Sequence, residues 1–209
     1  MRVTAAVREA TRRRILEVAG QRFAAQGFDA VTTRDIARAA AIATGTVFNY
    51  FATKEGIAAA LVAEALAGAH AAFETRTRRG DSPEEELFAL VAAELRALGP
   101  HRNHLAPVLE TALVPLATRP GEAGEVMRQE HLGVVCRILG AHGRPGPLDP
   151  GTAYLYLTLY IGVLSFWAHD PSPNQEDTLA VLDRSLRAFV SILPPKAKVD
   201  GPARSRGAE

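Results

Sequence analysis

Apolar residues recur at helical spacing along most of the chain. One stripe runs through TRRRILEVAGQRFAAQGF and comprises Ile15, Leu16, Ala19 and Phe23. Residues three and four apart share one side of a helix, so this stripe predicts an amphipathic helix with one buried face. Gly27 follows the stripe at a position where helices commonly end with a left-handed residue. The pattern therefore predicts a first helix that ends near Gly27.

Two shorter helices are predicted next. The segment VTTRDIARAA offers Thr32 or Thr33 as its N-cap, and Asp35 is favourably placed in the first turn. The stretch AIAT interrupts the pattern, and TGTVFNYF, residues 44 to 51, resumes it. Three short helices joined by tight turns are typical of a helix-turn-helix unit.

The third helix would have two different faces. Val47 and Phe51 are four residues apart and share an apolar face. Thr46, Asn49 and Tyr50 share another face, which carries short hydrogen-bonding groups. In a recognition helix the apolar face anchors the helix, and the opposite face enters the major groove, which is about 12 Å wide. The alternative is that these polar side chains cap or fill a buried turn.

The rest of the chain is also predicted to be helical. Thr53 is the expected N-cap of a long fourth helix, and Ser82 with Pro83 marks the start of a fifth. Later helical segments cover about residues 102–116, 121–142, 152–169 and 174–193. Pro107 and Pro115 are expected to kink or shorten the first of these. No run alternates with period two for long enough to predict a strand, so the predicted fold is all-α with about nine helices.

Charge and composition divide the chain into three parts. Residues 1–56 contain nine basic and five acidic residues, whereas residues 57–193 contain eleven basic and sixteen acidic ones. This asymmetry indicates that the N-terminal part meets a polyanion, although a solvated arginine-rich helix face would look the same. We therefore predict a helix-turn-helix DNA-binding domain over residues 1–56 and a larger helical domain over residues 57–193. Residues 194–209 have almost no large apolar side chains and are expected to be disordered.

The segment VTTRDIARAAAIATGTVFNYFATKEGI resembles the N-terminal domain of the TetR family of bacterial transcriptional repressors. In that family a threonine-rich entry leads to IA, a turn, GT, an aromatic pair and then F…K-E, and these elements occur here in the same order. The detailed match runs from about Ile15 to Leu61. The resemblance implies a DNA-binding domain followed by a helical ligand-binding and dimerisation domain. It also implies a sequence-specific repressor that a small-molecule ligand releases from its operator.

The resemblance further implies roles at the DNA for eight residues: Thr33, Arg34, Thr44, Gly45, Thr46, Asn49, Tyr50 and Lys54. Arg34 would contact a base, and Thr44, Gly45, Thr46 and Asn49 would face the major groove. Thr33, Tyr50 and Lys54 would hold the phosphate backbone. These roles agree with the chemistry, because Arg and Asn can bond bases bidentately, whereas Tyr and Lys position a protein without reading sequence. Phe48 either touches a thymine methyl group or packs inward.

Two positions depart from the family pattern. Ala41 stands where the turn often has glycine, so a positive φ there would strain the turn. Ala43 stands where a Ser or Thr often caps the recognition helix, which costs about 1 kcal/mol unless Thr44 takes the role. Thr44 would then be less free to read a base. Ahead of the domain, MRVTAAVREATRRR is expected to be either a flexible arm whose arginines bind DNA or a frayed end.

The last two helical segments are expected to pair two copies of the chain. YLYLTLYIGVLSFW is apolar nearly all the way round, which a helix tolerates when it is buried on several sides. With LAVLDRSLRAFVSIL it would form half of an intermolecular four-helix bundle, as the resemblance implies. The homodimer would then present two heads to a palindromic double-stranded DNA operator. The alternative is an internal core helix of a monomer.

The middle helices are expected to enclose a small-molecule effector, whose identity the sequence does not specify. Candidate lining residues are Phe73, His104, Leu105, Leu109, Met127, His131, Tyr156, Tyr160 and Trp167. They combine apolar walls with a few polar groups, as small-molecule sites do. His101 and His104 have a spacing seen among metal ligands, but no third or fourth ligand is obvious, so a solvated pair is expected. We assign no metal ligand and expect no cofactor.

Other classes of protein fit the sequence less well. It has no Gly-rich phosphate loop, no Ser, His and Asp arrangement and no carboxylate-histidine motif of the di-iron bundles, so we expect no enzyme and assign no catalytic residue. A non-specific DNA-packaging protein is the main rival, and it would bind with little sequence preference. The single cysteine, Cys136, excludes an internal disulfide. No stretch approaches about 20 consecutive apolar residues, so we expect a cytoplasmic protein without membrane contact.

Overall fold

A computed structural model describes residues 4–75, 82–109 and 122–194 of the 209-residue chain. Within these ranges every regular element is helical, which confirms the predicted all-α fold. The α-helices are α1 (Ala5–Gln26), α2 (Thr33–Ala39), α3 (Thr44–Phe48), α4 (Lys54–Glu74), α5 (Pro83–Leu98), α6 (Leu105–Val108), α7 (Glu122–Ala141), α8 (Pro150–His169) and α9 (Glu176–Ile192). We call α1 to α3 the head and α4 to α9 the body.

Local signals define the boundaries of the head helices. The predicted stripe of α1 is buried, and Gly27 ends the helix with a φ of 82°, which glycine adopts without strain. Thr32, not Thr33, caps α2. Its hydroxyl accepts from the Asp35 N–H at 3.2 Å, and the Asp35 carboxylate accepts from the Thr32 N–H at 3.1 Å. This reciprocal capping box fixes the start of α2.

The N-terminal segment differs from both predicted forms. Thr4 caps α1, and the helix begins at Ala5, so the arginines from Arg8 to Arg14 lie on an ordered helix rather than on an arm or a frayed end. Arg12 is held by an ion pair with Glu64 of α4 at 2.7 Å. Residues 4–14 of the predicted arm therefore form part of the head, and residues 1–3 lie outside the described residues.

The body is built around α4. This helix packs against α1, α5 and α7, while α9 packs against α5 and α8. The predicted caps are confirmed: Thr53 accepts from the Gly56 N–H, and Ser82 forms a capping box with Glu85. Because α4 begins at Lys54, it crosses the predicted domain boundary between residues 56 and 57. The division of the chain at that boundary stays a prediction.

The predicted helix over residues 102–116 agrees least with the structure. A 3₁₀ turn occupies Gly99–His104, and α6 adds only Leu105–Val108. Residues 110–121, which include Pro115, and residues 195–209 of the predicted tail lie outside the described residues.

Two helices in the described part of the chain, α4 and α8, are long and apolar enough to cross a membrane. Neither helix contains an unbroken run of about 20 apolar residues, which is the pattern that would have predicted a membrane span from the sequence. Half of the most apolar window of α4 is buried within the protein, as in a core helix, but only 33% of the corresponding window of α8 is buried. The helix α8 therefore has an apolar side that a single chain does not cover.

Candidate functional site

The recognition helix has the two faces that the sequence predicts. Val47 is fully buried and Phe51 is 8% exposed, so both anchor α3 to the head core. Asn49 is exposed, and Thr46 is half-buried. Phe48 is 50% exposed, so it does not pack inward. The helix ends at Phe48, and Asn49 continues its right-handed dihedral angles as the C-cap.

All eight predicted DNA-contacting residues reach the surface. Arg34, Gly45 and Asn49 are exposed. The others are half-buried: Thr33, Thr44, Thr46, Tyr50 and Lys54. Accessibility is a necessary condition for touching a nucleic acid, and the contacts themselves stay a prediction.

Lys54 has a partner within the protein. Its ammonium donates a hydrogen bond to the Phe28 carbonyl at 2.8 Å and lies 4.1 Å from the centroid of the Phe28 ring. A lysine ammonium has three N–H donors, so this bond leaves further donors for a phosphate. The contact holds the start of α4 against the loop between α1 and α2.

The turn before α3 contains the two departures noted in the sequence. Ala41 has a φ of 51°, a left-handed conformation that costs a residue with a Cβ atom roughly 1 kcal/mol. Ala43 occupies the N-cap of α3 and makes no side-chain capping bond. Thr44 is the first helical residue and does not replace the cap. The turn therefore keeps the left-handed geometry without glycine, and the Thr44 hydroxyl is not used in capping.

The head joins the body through aromatic contacts. The Phe23 ring of α1 lies 5.2 Å from the ring of His104, between centroids. His104 is buried and shares a hydrogen bond of 3.2 Å with His101. Burial and the neighbouring His101 lower the pKa of His104 to about 4, so its ring is neutral at pH 7. The prediction of a solvated histidine pair is wrong, because the 3₁₀ turn packs under α1.

The predicted effector-lining residues are all buried or half-buried, and only some of them share polar or ring contacts. His131, Tyr156 and Tyr160 come together: His131 Nε2 lies 3.0 Å from the Tyr156 hydroxyl, and the His131 and Tyr160 ring centroids are 4.1 Å apart. Trp167 instead donates to Gln175 at 2.6 Å beside Arg102. The remaining residues, Phe73, Leu105, Leu109 and Met127, pack in or against the apolar core.

The structure adds two polar residues that the sequence analysis missed. Glu94 of α5 is fully buried, and its Oε1 accepts hydrogen bonds from His70 Nε2 of α4 at 2.5 Å and from His131 Nδ1 of α7 at 2.8 Å. One signal was present in the sequence. Glu94 stands four residues after Leu90 and one before Leu95, on the face of α5 that is otherwise apolar.

The buried cluster places one carboxylate among imidazole and phenol groups, and these neighbours shift one another's pKa values. Burial acts to raise the pKa of Glu94, but the charges and hydrogen bonds of His131 and His70 outweigh it and lower the pKa to about 2. Burial and the Glu94 charge raise the pKa of Tyr156 and of Tyr160 well above the ordinary value. Glu94 is therefore ionised and both phenols are protonated at neutral pH.

Comparison with known proteins agrees with this architecture. Residues 15–61 match the family described as "Bacterial regulatory proteins, tetR family". The fold is similar to that of the Thermus thermophilus TetR-family repressor FadR in complex with lauroyl-CoA, with a TM-score of 0.67 and 24% identity over 91% of this chain and 99% of that one. A TetR transcriptional regulator from Rhodococcus sp. RHA1 gives a TM-score of 0.62 and 20% identity, over 90% and 99% of the two chains. Comparison with curated protein sequences finds no match.

Proposed function

We propose that the chain, whose residues 15–61 match the TetR family of bacterial regulatory proteins, is a sequence-specific transcriptional repressor. A small-molecule effector that binds the body would release it from its operator. The observation that carries the proposal is the recognition helix. Val47 fixes α3 from beneath, while Phe48 and Asn49 stand exposed on it. This arrangement suits entry into a major groove.

The proposed DNA contacts follow the exposed surface. Asn49 and Arg34 read base edges, with Thr44, Gly45 and Thr46 close to the groove floor. Thr33, Tyr50 and Lys54 bind phosphates and set the orientation. The exposure of Phe48 adds an apolar contact, for which the methyl group of thymine is the matching partner.

The proposed homodimer pairs α8 and α9 with the same helices of a second copy. Three large apolar side chains of α8 are exposed in the single chain: Tyr154 at 42%, Leu155 at 40% and Phe166 at 43%. Together they leave the apolar side of α8 open to water, which a second copy would cover in a four-helix bundle. A two-fold dimer would place two heads on a palindromic operator.

The dimer can be tested by molar mass in solution. Phe166→Glu places a charge on the proposed interface and is expected to give a monomer in light scattering coupled to size exclusion. Val126→Glu is the matched control, because Val126 is 46% exposed on α7, outside the interface. A wild-type monomer, or a dimer that survives Phe166→Glu, would contradict this interface.

The proposed effector is a small molecule of unidentified class bound within the body. The nine candidate lining residues remain the proposed wall, with His131, Tyr156 and Tyr160 as its polar part. Lauroyl-CoA is the ligand of the Thermus protein, and the likeness to that protein is one of fold. An effector changes DNA affinity only as far as it binds one arrangement of the two heads more tightly than the other. We propose that the protein acts in the cytoplasm and catalyses no reaction.

The main alternative is a DNA-binding structural protein with little sequence preference. The two functions differ in competition experiments, because a repressor prefers its operator over other DNA by a factor on the order of 10³ or more. The first measurement is fluorescence anisotropy of the protein with a labelled duplex from upstream of its own gene. A scrambled duplex serves as the competitor, and the titration is repeated across a salt series.

Asn49→Ala distinguishes specific binding in that assay. Loss of one bidentate base contact is expected to weaken binding to the operator by about 10-fold to 100-fold and to leave binding to scrambled DNA unchanged. Asn103→Ala is the matched control, because Asn103 is an exposed asparagine on the 3₁₀ turn of the body. Equal binding of both duplexes by the wild type, at every salt concentration, would leave two possibilities: a structural protein, or a repressor whose operator lies elsewhere.

A further inference from the structure

Three side chains of metal-binding type meet in the interior of the body, outside the DNA-binding surface. They are His70 of α4, Glu94 of α5 and His131 of α7, and their exposed fractions are 7%, 0% and 2%. Each offers one ligand atom, and these atoms all lie within 4.8 Å of one another. Three different helices therefore converge on one small volume through residues that are rarely buried without a specific partner.

We propose that His70, Glu94 and His131 form a binding site for a divalent transition metal ion, with Zn²⁺ as the best-matched ion. The ligand atoms are His70 Nε2, Glu94 Oε1 and His131 Nδ1. Two imidazoles and one carboxylate are a ligand set that Zn²⁺ accepts in tetrahedral geometry, with the fourth position open to water or to another ligand. Imidazole nitrogen favours zinc, nickel or cobalt over magnesium and calcium, which prefer oxygen.

The present distances are close to those that such an ion requires. Two ligand atoms about 2.1 Å from a tetrahedral zinc ion are about 3.4 Å apart. Glu94 Oε1 is now 2.5 Å from His70 Nε2 and 2.8 Å from His131 Nδ1, as hydrogen bonds require. An ion would replace the bridging protons, and Glu94 Oε1 would move away from each imidazole nitrogen by less than about 1 Å. The two imidazole nitrogens lie within 4.8 Å of each other and would have to be about 3.4 Å apart in a tetrahedral site.

The surroundings of the cluster also fit a metal site. The Nε2 atom of His131 is bonded to the Tyr156 hydroxyl at 3.0 Å, and the Tyr160 ring stacks on the imidazole. A metal-binding histidine commonly has such a second hydrogen bond, which fixes its tautomer and ring orientation. Glu94 Oε2 is buried and has no hydrogen-bond partner within the geometric limits among the described residues. A buried carboxylate is costly without a positive partner, and a divalent cation would supply one.

An ion can reach the cluster from one side. A groove of about 490 Å³ lies between α4 and α7, and His70 forms part of its wall. Small residues, Ala67, Ala71 and Gly133, line the groove beside His70. Because His70 lines the groove, an ion would enter the cluster beside His70, and water or an effector would fill the fourth coordination position.

The test measures metal binding alone, so its outcome is independent of the DNA-binding role. Tag-free full-length protein is titrated with Co²⁺, which substitutes for Zn²⁺ and gives visible absorption when it is bound in a tetrahedral site. We expect one Co²⁺ per chain and displacement of the Co²⁺ by Zn²⁺. Glu94→Gln keeps the shape of the side chain but removes its charge, and is expected to weaken Co²⁺ binding at least about 10-fold.

A second histidine–glutamate pair supplies the matched control. His142 Nε2 lies 3.2 Å from Glu86 Oε1, outside the cluster, so Glu86→Gln is expected to leave Co²⁺ binding unchanged. If Glu94→Gln does not fold, as judged by circular dichroism, His70→Gln takes its place, because His70 lies at the groove edge of the cluster. Absence of tetrahedral absorption in the wild type, or equal Co²⁺ binding by all variants, would overturn the proposal.

Discussion

The head and the body place their functional polar groups differently, at the surface in the head and in the interior in the body. In the head, the groups proposed to act stand at the surface, and contacts between near neighbours support them, such as the capping box formed by Thr32 and Asp35. In the body, polar groups are collected in the interior from distant parts of the chain. Glu94 lies 24 residues from His70 and 37 from His131. The chemistry of the head therefore depends on a few turns of chain, whereas that of the body depends on how whole helices pack.

The largest expected effect tests whether buried and exposed side chains of the head contribute differently to stability. Phe23→Ala removes a fully buried ring that contacts Phe28 and His104, so it is expected to lower the free energy of unfolding by about 3–5 kcal/mol. Urea denaturation followed by circular dichroism measures the change. Phe48→Ala removes the same ring from an exposed position and is expected to change stability by less than about 0.5 kcal/mol. A similar cost for both variants would contradict the burial described here.

The next largest effect concerns the stability of the body, which we expect to depend on a buried carboxylate between α8 and α9. Asp170 accepts hydrogen bonds from the Thr178 hydroxyl at 2.5 Å, the Thr178 N–H at 2.9 Å and the Ser172 N–H at 2.8 Å. The Thr178 hydroxyl, followed by the other donors, lowers the pKa of Asp170 below its ordinary 3.8. Its contribution to stability is therefore complete above that pH and is lost as the pH falls below it.

Urea unfolding from about pH 5 to about pH 3 measures this dependence. Asp170→Asn is expected to be less stable than the wild type at pH 5, and the difference should shrink as the pH falls. Asp183→Asn is the control, because Asp183 is a surface carboxylate paired with Arg187 at 2.9 Å on α9. A constant difference between Asp170→Asn and wild type across this range would show that Asp170 does not act through its charge.

A smaller effect sharpens the contrast between buried and surface hydroxyls. Tyr156→Phe removes the hydroxyl that bonds to His131 Nε2 and leaves that nitrogen buried without a partner, which is expected to cost about 1–2 kcal/mol. Tyr50→Phe removes a hydroxyl from a half-buried tyrosine at the surface of the head, outside the proposed dimer interface, and is expected to be neutral for stability. Thermal or urea unfolding at neutral pH separates the two. Equal stabilities would mean that the buried hydroxyl contributes nothing to the cluster.

The smallest effect concerns the backbone of the head. Ala41→Gly relieves a left-handed conformation at φ 51° and is expected to raise the free energy of unfolding by up to about 1 kcal/mol. Ala25→Gly is the control, because Ala25 is an exposed alanine within α1, where glycine should destabilise by about 0.5–1 kcal/mol. Opposite signs for the two substitutions are the expected result. Destabilisation by both would show that the turn at Ala41 is not strained.

The difference between contacts of near neighbours and contacts of distant helices explains which features the sequence predicted. The caps at Thr53 and Ser82 and the buried stripe of α1 were predictable, because each is a pattern within a few residues. The sequence left open whether α8 is covered by its own chain or by a second copy, because an apolar helix looks the same in both cases. The sequence predicted strain at Ala41 only if the turn requires a positive φ there. It could not predict the positive φ itself, since alanine gives no local signal for a left-handed turn.

Contacts between distant helices were the main source of error. The sequence places His101 and His104 three residues apart, but it does not show that Phe23 of α1 covers His104. In the same way, Glu94 is one carboxylate on an apolar face until α4 and α7 bring His70 and His131 to it. Predicting either site from sequence would have required the packing of helices that are separated by many residues.

The helix α4 is long enough to carry Lys54 beside the head and His70 within the body. The two residues are sixteen positions apart, about 24 Å along a continuous helix. A rotation of α4 by about 5° about its His70 end moves Lys54 by about 2 Å. In a symmetric dimer the two displacements add, so the distance between recognition helices changes by as much as about 4 Å. Successive half-sites on DNA recur every ~34 Å. In the proposed dimer, a small rotation of α4 would therefore change the spacing of the two heads relative to the half-sites, without any change inside either head.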